Sequence, residues 1–169
     1  AQLRGFIAAV QGDTATRHRL VQDAWEISRH SRDLSTATRL LVSNATIDEA
    51  FARGDTSFAR LAAESTLTSL QSTRSPLILS FAFHYAGLAR LADGDAPHAE
   101  QALRDGLAQV RVAPDLASMG PRLRRPLADA LRRQGRSVEA DSVARLDPPR
   151  AAVPKCTPGG EWRGCPDIR

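Results

Sequence analysis

The strongest constraint on this chain is a glycine that returns about every forty-one residues. Gly12-Asp13, Gly54-Asp55 and Gly94-Asp95 open the series and Gly135-Arg136 continues it, at intervals of 42, 40 and 41 residues. Before each glycine the apolar residues step by three and four: Phe6, Ile7 and Val10; Leu40, Leu41, Ile47 and Phe51; Phe81, Leu88 and Leu91; Leu127 and Leu131. A second set follows each one: Leu20, Val21 and Trp25; Phe58, Leu61 and Leu67; Ala99, Leu103, Leu107 and Val110; Val138 and Val143. Such steps gather side chains on one face of a helix, whereas a strand alternates every second residue. The period therefore predicts two-helix units repeated along the chain.

Each glycine is expected to end the first helix of its unit, because the chain commonly leaves a helix through a left-handed residue that glycine adopts without a Cβ penalty. The aspartate after it can accept a hydrogen bond from the free N–H groups of the next helix, a cap worth ~1 kcal/mol. That assigns Asp13, Asp55 and Asp95 to structure rather than to catalysis. Ser75-Pro76 and Gly120-Pro121 mark further starts, since proline tolerates the first helical position. Small residues recur at fixed offsets and let paired helices approach closely. Ala59, Ala99 and Ala140 lie five after the glycine, with Arg17 the exception; Ala24, Thr66 and Gly106 lie twelve after; Gly5, Gly87 and Ala128 lie seven before, with Ile47 the exception.

Helices are predicted at 2–11, 13–30, 35–53, 56–72, 76–92, 96–112, 122–134 and 137–146, with inter-repeat loops at 31–34 and 113–120. Pro126 falls inside the seventh. An interior proline costs ~3 kcal/mol, so this helix is expected to kink or to begin near Pro126. From Asp147-Pro148-Pro149 the helical pattern gives way to a Pro- and Gly-rich tail.

Aromatic residues make up only 5% of the 169, so Ala, Leu and Val must fill most of the core. No run of eighteen or more apolar residues occurs, which excludes a single-pass helical membrane span. No signal peptide is visible, and the chain opens on Ala1 in mid-pattern, as expected of a piece of a longer protein. Charge is uneven: residues 1–110 hold 11 basic and 12 acidic side chains, residues 111–169 hold 12 and 7. Lys155 is the lone lysine. A basic C-terminal third suits acidic peptides, nucleic acid or anionic lipid, or is simply a solvated Arg-rich surface.

The segment from Tyr85 through Gly94-Asp95 to Ala99, and the next from Leu127-Ala128 through Gly135 to Ala140, resemble the tetratricopeptide repeat. The resemblance spans roughly residues 3–146, with a period near 41 in place of the family's usual 34 and without its late proline. It implies an all-α fold over residues 1–146, a right-handed superhelix (an α-solenoid) of about four antiparallel helix hairpins, followed by the tail 147–169. It also implies that the first helix of each hairpin lines a concave groove, with positions ten and six before the glycine pointing inward. These are Asn44 and Asp48, His84 and Leu88, and Arg125 and Asp129, with Arg132 and Arg133 on the next turn. Longer units of this kind resemble docking and sensor regions of bacterial signalling proteins.

No metalloprotease, P-loop, dinucleotide or hydrolase-elbow motif is present. His18, His30, His84 and His98 have no ligand spacing, and His18 and His98 are expected to face solvent early in second helices. The expectation is thus a non-catalytic module with no catalytic residue, no metal and no cofactor, binding another protein or peptide. An arginine-lined groove suits an acidic partner or a free C-terminal carboxylate. A small-molecule-sensing domain with a pocket at His84 and Tyr85 is the alternative. Nucleic acid is a third reading, disfavoured because no aromatics interleave Arg122, Arg124, Arg125, Arg132, Arg133 and Arg136. Cys156 and Cys165, the two cysteines, have pairable spacing. A disulfide there would close a short loop worth roughly 2–3 kcal/mol and point to an oxidising, extracytoplasmic compartment, whereas reduced thiols would suit the cytoplasm. Trp162 in that loop would fold back to cap the last helix.

Overall fold

In the computed structural model, residues 13–146 are described, apart from 32 and 71. The predicted helix at 2–11, Cys156, Cys165 and Trp162 lie outside them. The described chain is all-helical: α1 (Thr14–His30), α2 (Thr36–Ala52), α3 (Thr56–Ser69), α4 (Pro76–Ala92), α5 (Ala96–Val112), α6 (Gly120–Arg133) and α7 (Ser137–Arg145), with a 3₁₀ turn at Pro114–Met119.

Three turns close hairpins α2–α3, α4–α5 and α6–α7 in the same way. Gly54, Gly94 and Gly135 take φ of 74°, 85° and 78°. In each, the residue after the glycine donates its N–H back across the turn: Asp55 to Ala50 at 2.9 Å, Asp95 to Arg90 at 2.8 Å, Arg136 to Leu131 at 3.0 Å. The glycine's own N–H reaches Phe51, Leu91 and Arg132 respectively. These paired bonds satisfy carbonyls that a helix end leaves open. The next helix is then capped by Asp13 (to Thr16 N–H, 2.9 Å), Asp55 (to Phe58, 3.0 Å) and Asp95 (to His98, 3.3 Å). Where Arg136 replaces the aspartate no side-chain cap forms. Its guanidinium instead holds Glu100 at 2.8 Å and Glu139, tying α5 to the α6–α7 turn.

Consecutive helices pack in order, and first helices also touch across units, α2 with α4 and α4 with α6. No comparable packing joins second helix to second helix among the described residues. The stack therefore bends with α2, α4 and α6 on its inner side. Small residues set the spacing. A methyl added at Gly87 would lie 2.5 Å from Leu103 Cγ, and one at Gly106 would lie 2.7 Å from a Leu123 methyl. One core gathers Trp25, Ile47, Ala59, Ala62, Ala86 and Ala89, and another Leu103, Leu123, Leu127, Leu131 and Ala140.

Three expectations are corrected. The α3 helix stops at Ser69, not 72, its last turn closing on Leu70, which is buried. The segment expected as a loop at 113–120 is the 3₁₀ turn, anchored by buried Leu116 and Met119. The α6 helix begins at Gly120 and runs through Pro126, which is buried there. Tertiary packing outweighs the missing bond. We predict that Gly94→Ala destabilises the fold by about 1–2 kcal/mol, the cost of a left-handed residue with a Cβ, read as a lowered urea midpoint. An unchanged midpoint would contradict the turn's assignment.

Candidate functional site

The inner side is lined by residues that step by three and four along α2, α4 and α6. Position thirteen before the glycine holds Leu41, Phe81 and Arg122; position ten holds Asn44, His84 and Arg125; position six holds Asp48, Leu88 and Asp129. Leu41 is 58% exposed, and Leu77, one turn before Phe81, is 47% exposed. Two large apolar side chains thus stand open on neighbouring first helices, while Ile27, Leu61, Val112, Val138 and Leu146 are exposed elsewhere on the fold. From sequence Leu41 reads as part of the apolar helix face rather than as an open position, and Leu77 is not singled out. The signal was present, since Leu41 and Phe81 share a register with Arg122.

Polar groups link the three helices across this face. The Tyr85 hydroxyl donates to Asp48 Oδ2 at 3.2 Å, joining α4 to α2. The His84 ring meets Tyr85 edge-on, centroids 5.4 Å apart, and lies beside Arg122 of α6. Burial, with the Arg122 charge, pushes His84 down to about 4, against a smaller opposing effect of the Arg122 backbone. Burial pushes Tyr85 up to about 12, with Asp48 adding to it. Partial burial likewise raises Asp48, opposed by Tyr85 and by the Arg17 charge. Asn44 Oδ1 and His84 Nδ1 are both buried without a hydrogen-bond partner among the described residues. Both stand at the same register of adjacent units.

The expected basic wall is differently used. Arg132 bridges Asp129 and Asp141, each at 3.2 Å. Arg133 donates to the Leu91 carbonyl at 2.5 Å, closing the C-terminal end of α4. Both arginines thus spend donors on the fold. Arg122, Arg125, Arg132 and Arg133 are all exposed on α6, Arg125 too with an interaction inside the protein, and Leu88 is half-buried on α4. His98 faces solvent as expected, but His18 does not: its Nδ1 is buried, 3.7 Å from Glu49 Oε1. The reason is Glu49, a buried carboxylate on α2 that draws both Arg17 and His18 inward. A cavity of about 530 Å³ opens between α3, α4 and α5, with Leu67, Leu79, Phe83 and Arg90 in its walls, and does not include His84 or Tyr85. Among the described residues no cluster of His, Cys, Asp and Glu could hold a metal, and no helix is long and apolar enough to cross a membrane.

His84 gives a pH prediction. Its folded-state value lies below its ordinary 6.5, so the unfolded chain binds the proton more readily. The stability this contributes is complete above about 6.5 and is lost as pH falls toward 4. The loss is on the order of 3 kcal/mol, and His84→Phe should flatten that part of the stability–pH curve. A variant curve parallel to that of the parent would contradict the assignment.

No family model matches the chain, nor does any curated protein or solved structure.

Proposed function

We propose that this chain is a non-catalytic binding module whose inner side holds a peptide or a segment of another protein, as a docking or regulatory part of a larger, bacterial protein. The carrying observation is the pair of exposed leucines Leu41 and Leu77, with partly buried Phe81 a turn beyond Leu77, lying alongside Asp48, Tyr85 and Arg122 on helices that touch one another. Apolar side chains supply the burial that drives association, and the flanking charges set register and discriminate partners. Arg122 on α6 favours a partner with a carboxylate on that side. The resemblance to tetratricopeptide arrays supports the same face by analogy.

A nucleic-acid reading is weakened by where the arginines go. Arg132, Arg133 and Arg136 are bound to Asp129 and Asp141, the Leu91 carbonyl, and Glu100 and Glu139. A phosphate track needs such groups turned outward together. The cavity between α3, α4 and α5 favours a second reading, a small-molecule site, since about 530 Å³ suits a ligand of modest size. It lies across α4 from His84 and Tyr85, so the two readings separate by mutation.

The test is affinity capture with the full chain and mass spectrometry of what is retained. Leu41→Glu with Leu77→Glu should abolish capture while leaving helical circular dichroism unchanged, because both side chains already face solvent. Arg122→Glu should weaken it at least tenfold for an acidic partner. Capture unaffected by the leucine pair would discard the inner-face reading, and capture lost only on filling the α3–α4–α5 cavity with Leu79→Trp would move the site there.

A further inference from the structure

The repeat docks each second helix on the next first helix through alanine. Five residues after one glycine and five before the next stand Ala59 with Ala89, and Ala99 with Ala130, all with no solvent exposure. The junction of α1 with α2 breaks this rule on both sides at once, placing Arg17 and Glu49 at those two positions. The change is compensated: Arg17 Nε donates to Glu49 Oε2 at 2.6 Å, and a second guanidinium nitrogen approaches the same oxygen. Glu49 keeps 8% of its side-chain exposure, while Arg17 keeps 33%.

Three further features bear on this junction. Of the seventeen residues of α1 only Trp25 and Ser28 are buried. The other end of α1 is also held by charge-assisted bonds, from Arg39 of α2 to the Ser28 carbonyl at 2.6 Å and the Ser31 carbonyl at 2.8 Å. Beside the ion pair lies a cavity of about 120 Å³ lined by His18, Gln22, Thr46, Glu49, Arg53 and Phe58, where the buried His18 Nδ1 has no hydrogen-bond partner. Alanine contacts lose their burial when helices part and gain nothing in return. A buried ion pair behaves differently, because each charge recovers its hydration on opening, which offsets much of the lost attraction.

We propose that α1 is a releasable clasp: it opens from α2 as a unit while α2–α7 remain folded, with the Arg17–Glu49 pair as its latch. Opening uncovers Thr46, Ala50 and Phe58 at the α2–α3 edge. It also removes the Arg17 charge from Asp48, the carboxylate that holds Tyr85 on the inner face, so the position of α1 is felt there. Opening of this kind is local unfolding.

Hydrogen–deuterium exchange on the full chain tests it, comparing the parent with Glu49→Gln, Arg17→Lys and the double variant Arg17→Ala/Glu49→Ala. In the parent, α1 amides should exchange at least tenfold faster than those of α4 and α5. Glu49→Gln should speed α1 a further tenfold or more without changing α5, and Arg17→Lys should do so to a lesser degree if the Gln variant fails to fold. The double alanine variant, which installs the contact used at the other junctions, should slow α1 to the parent rate or below. Equal exchange of α1 and α5 in the parent, equal acceleration of both in the variants, or no acceleration of α1 would each overturn the clasp.

Discussion

A left-handed glycine that ends one helix and hands the chain to the next is the constraint on which the structure depends. Gly54, Gly94 and Gly135 share one backbone conformation and one pair of returning hydrogen bonds, so three hairpins are closed by the same turn. Identical hairpins at a fixed interval can only stack. Close approach within a hairpin then follows from Gly87, which leaves room for Leu103, and between hairpins from Gly106, which leaves room for Leu123. The bend follows from first helices packing on first helices while second helices stay apart. A shared inner side is thus a geometrical consequence of the turn.

Where the repeat departs from its own pattern, charge enters in compensated sets. Arg136 stands in place of a capping aspartate and is answered by Glu100 and Glu139. Arg17 stands in place of an alanine and is answered by Glu49. In both cases a lone charge at a half-buried position would carry a heavy desolvation cost, and the partner removes it. The outcomes differ with their surroundings. Arg136 and Glu100 lie in a network with Arg104 and Gln134 that braces a turn, whereas Arg17 and Glu49 border a cavity at the outermost described junction.

The architecture was legible in the sequence because its determinants are local. A glycine, an aspartate and apolar steps of three and four act within a few residues, and α4 and α5 have the predicted bounds. Pro126 misled because its cost is local and its compensation is not: Leu123, Leu127 and Leu131 bury the helix on both sides of it. The inner face was legible as a set of positions but not as a chemistry. Helical spacing gives the direction of a Cβ, yet an arginine side chain is long enough to turn back, as Arg133 does to reach Leu91. Glu49 was invisible for a related reason. Its meaning depends on Arg17, thirty-two residues away, and appears only when the two breaks in pattern are laid side by side.

The central claim is that successive units curve so that first helices share an inner side. Spin-label distances test it most directly, in a chain whose Cys156 and Cys165 are replaced by serine. One pair of labels goes at Leu41 and Arg122, on first helices, and another at Ser57 and Val138, on second helices; both pairs are 81 residues apart and all four sites are exposed. The inner pair should be clearly the closer of the two. Equal distances, or a shorter outer pair, would contradict the account.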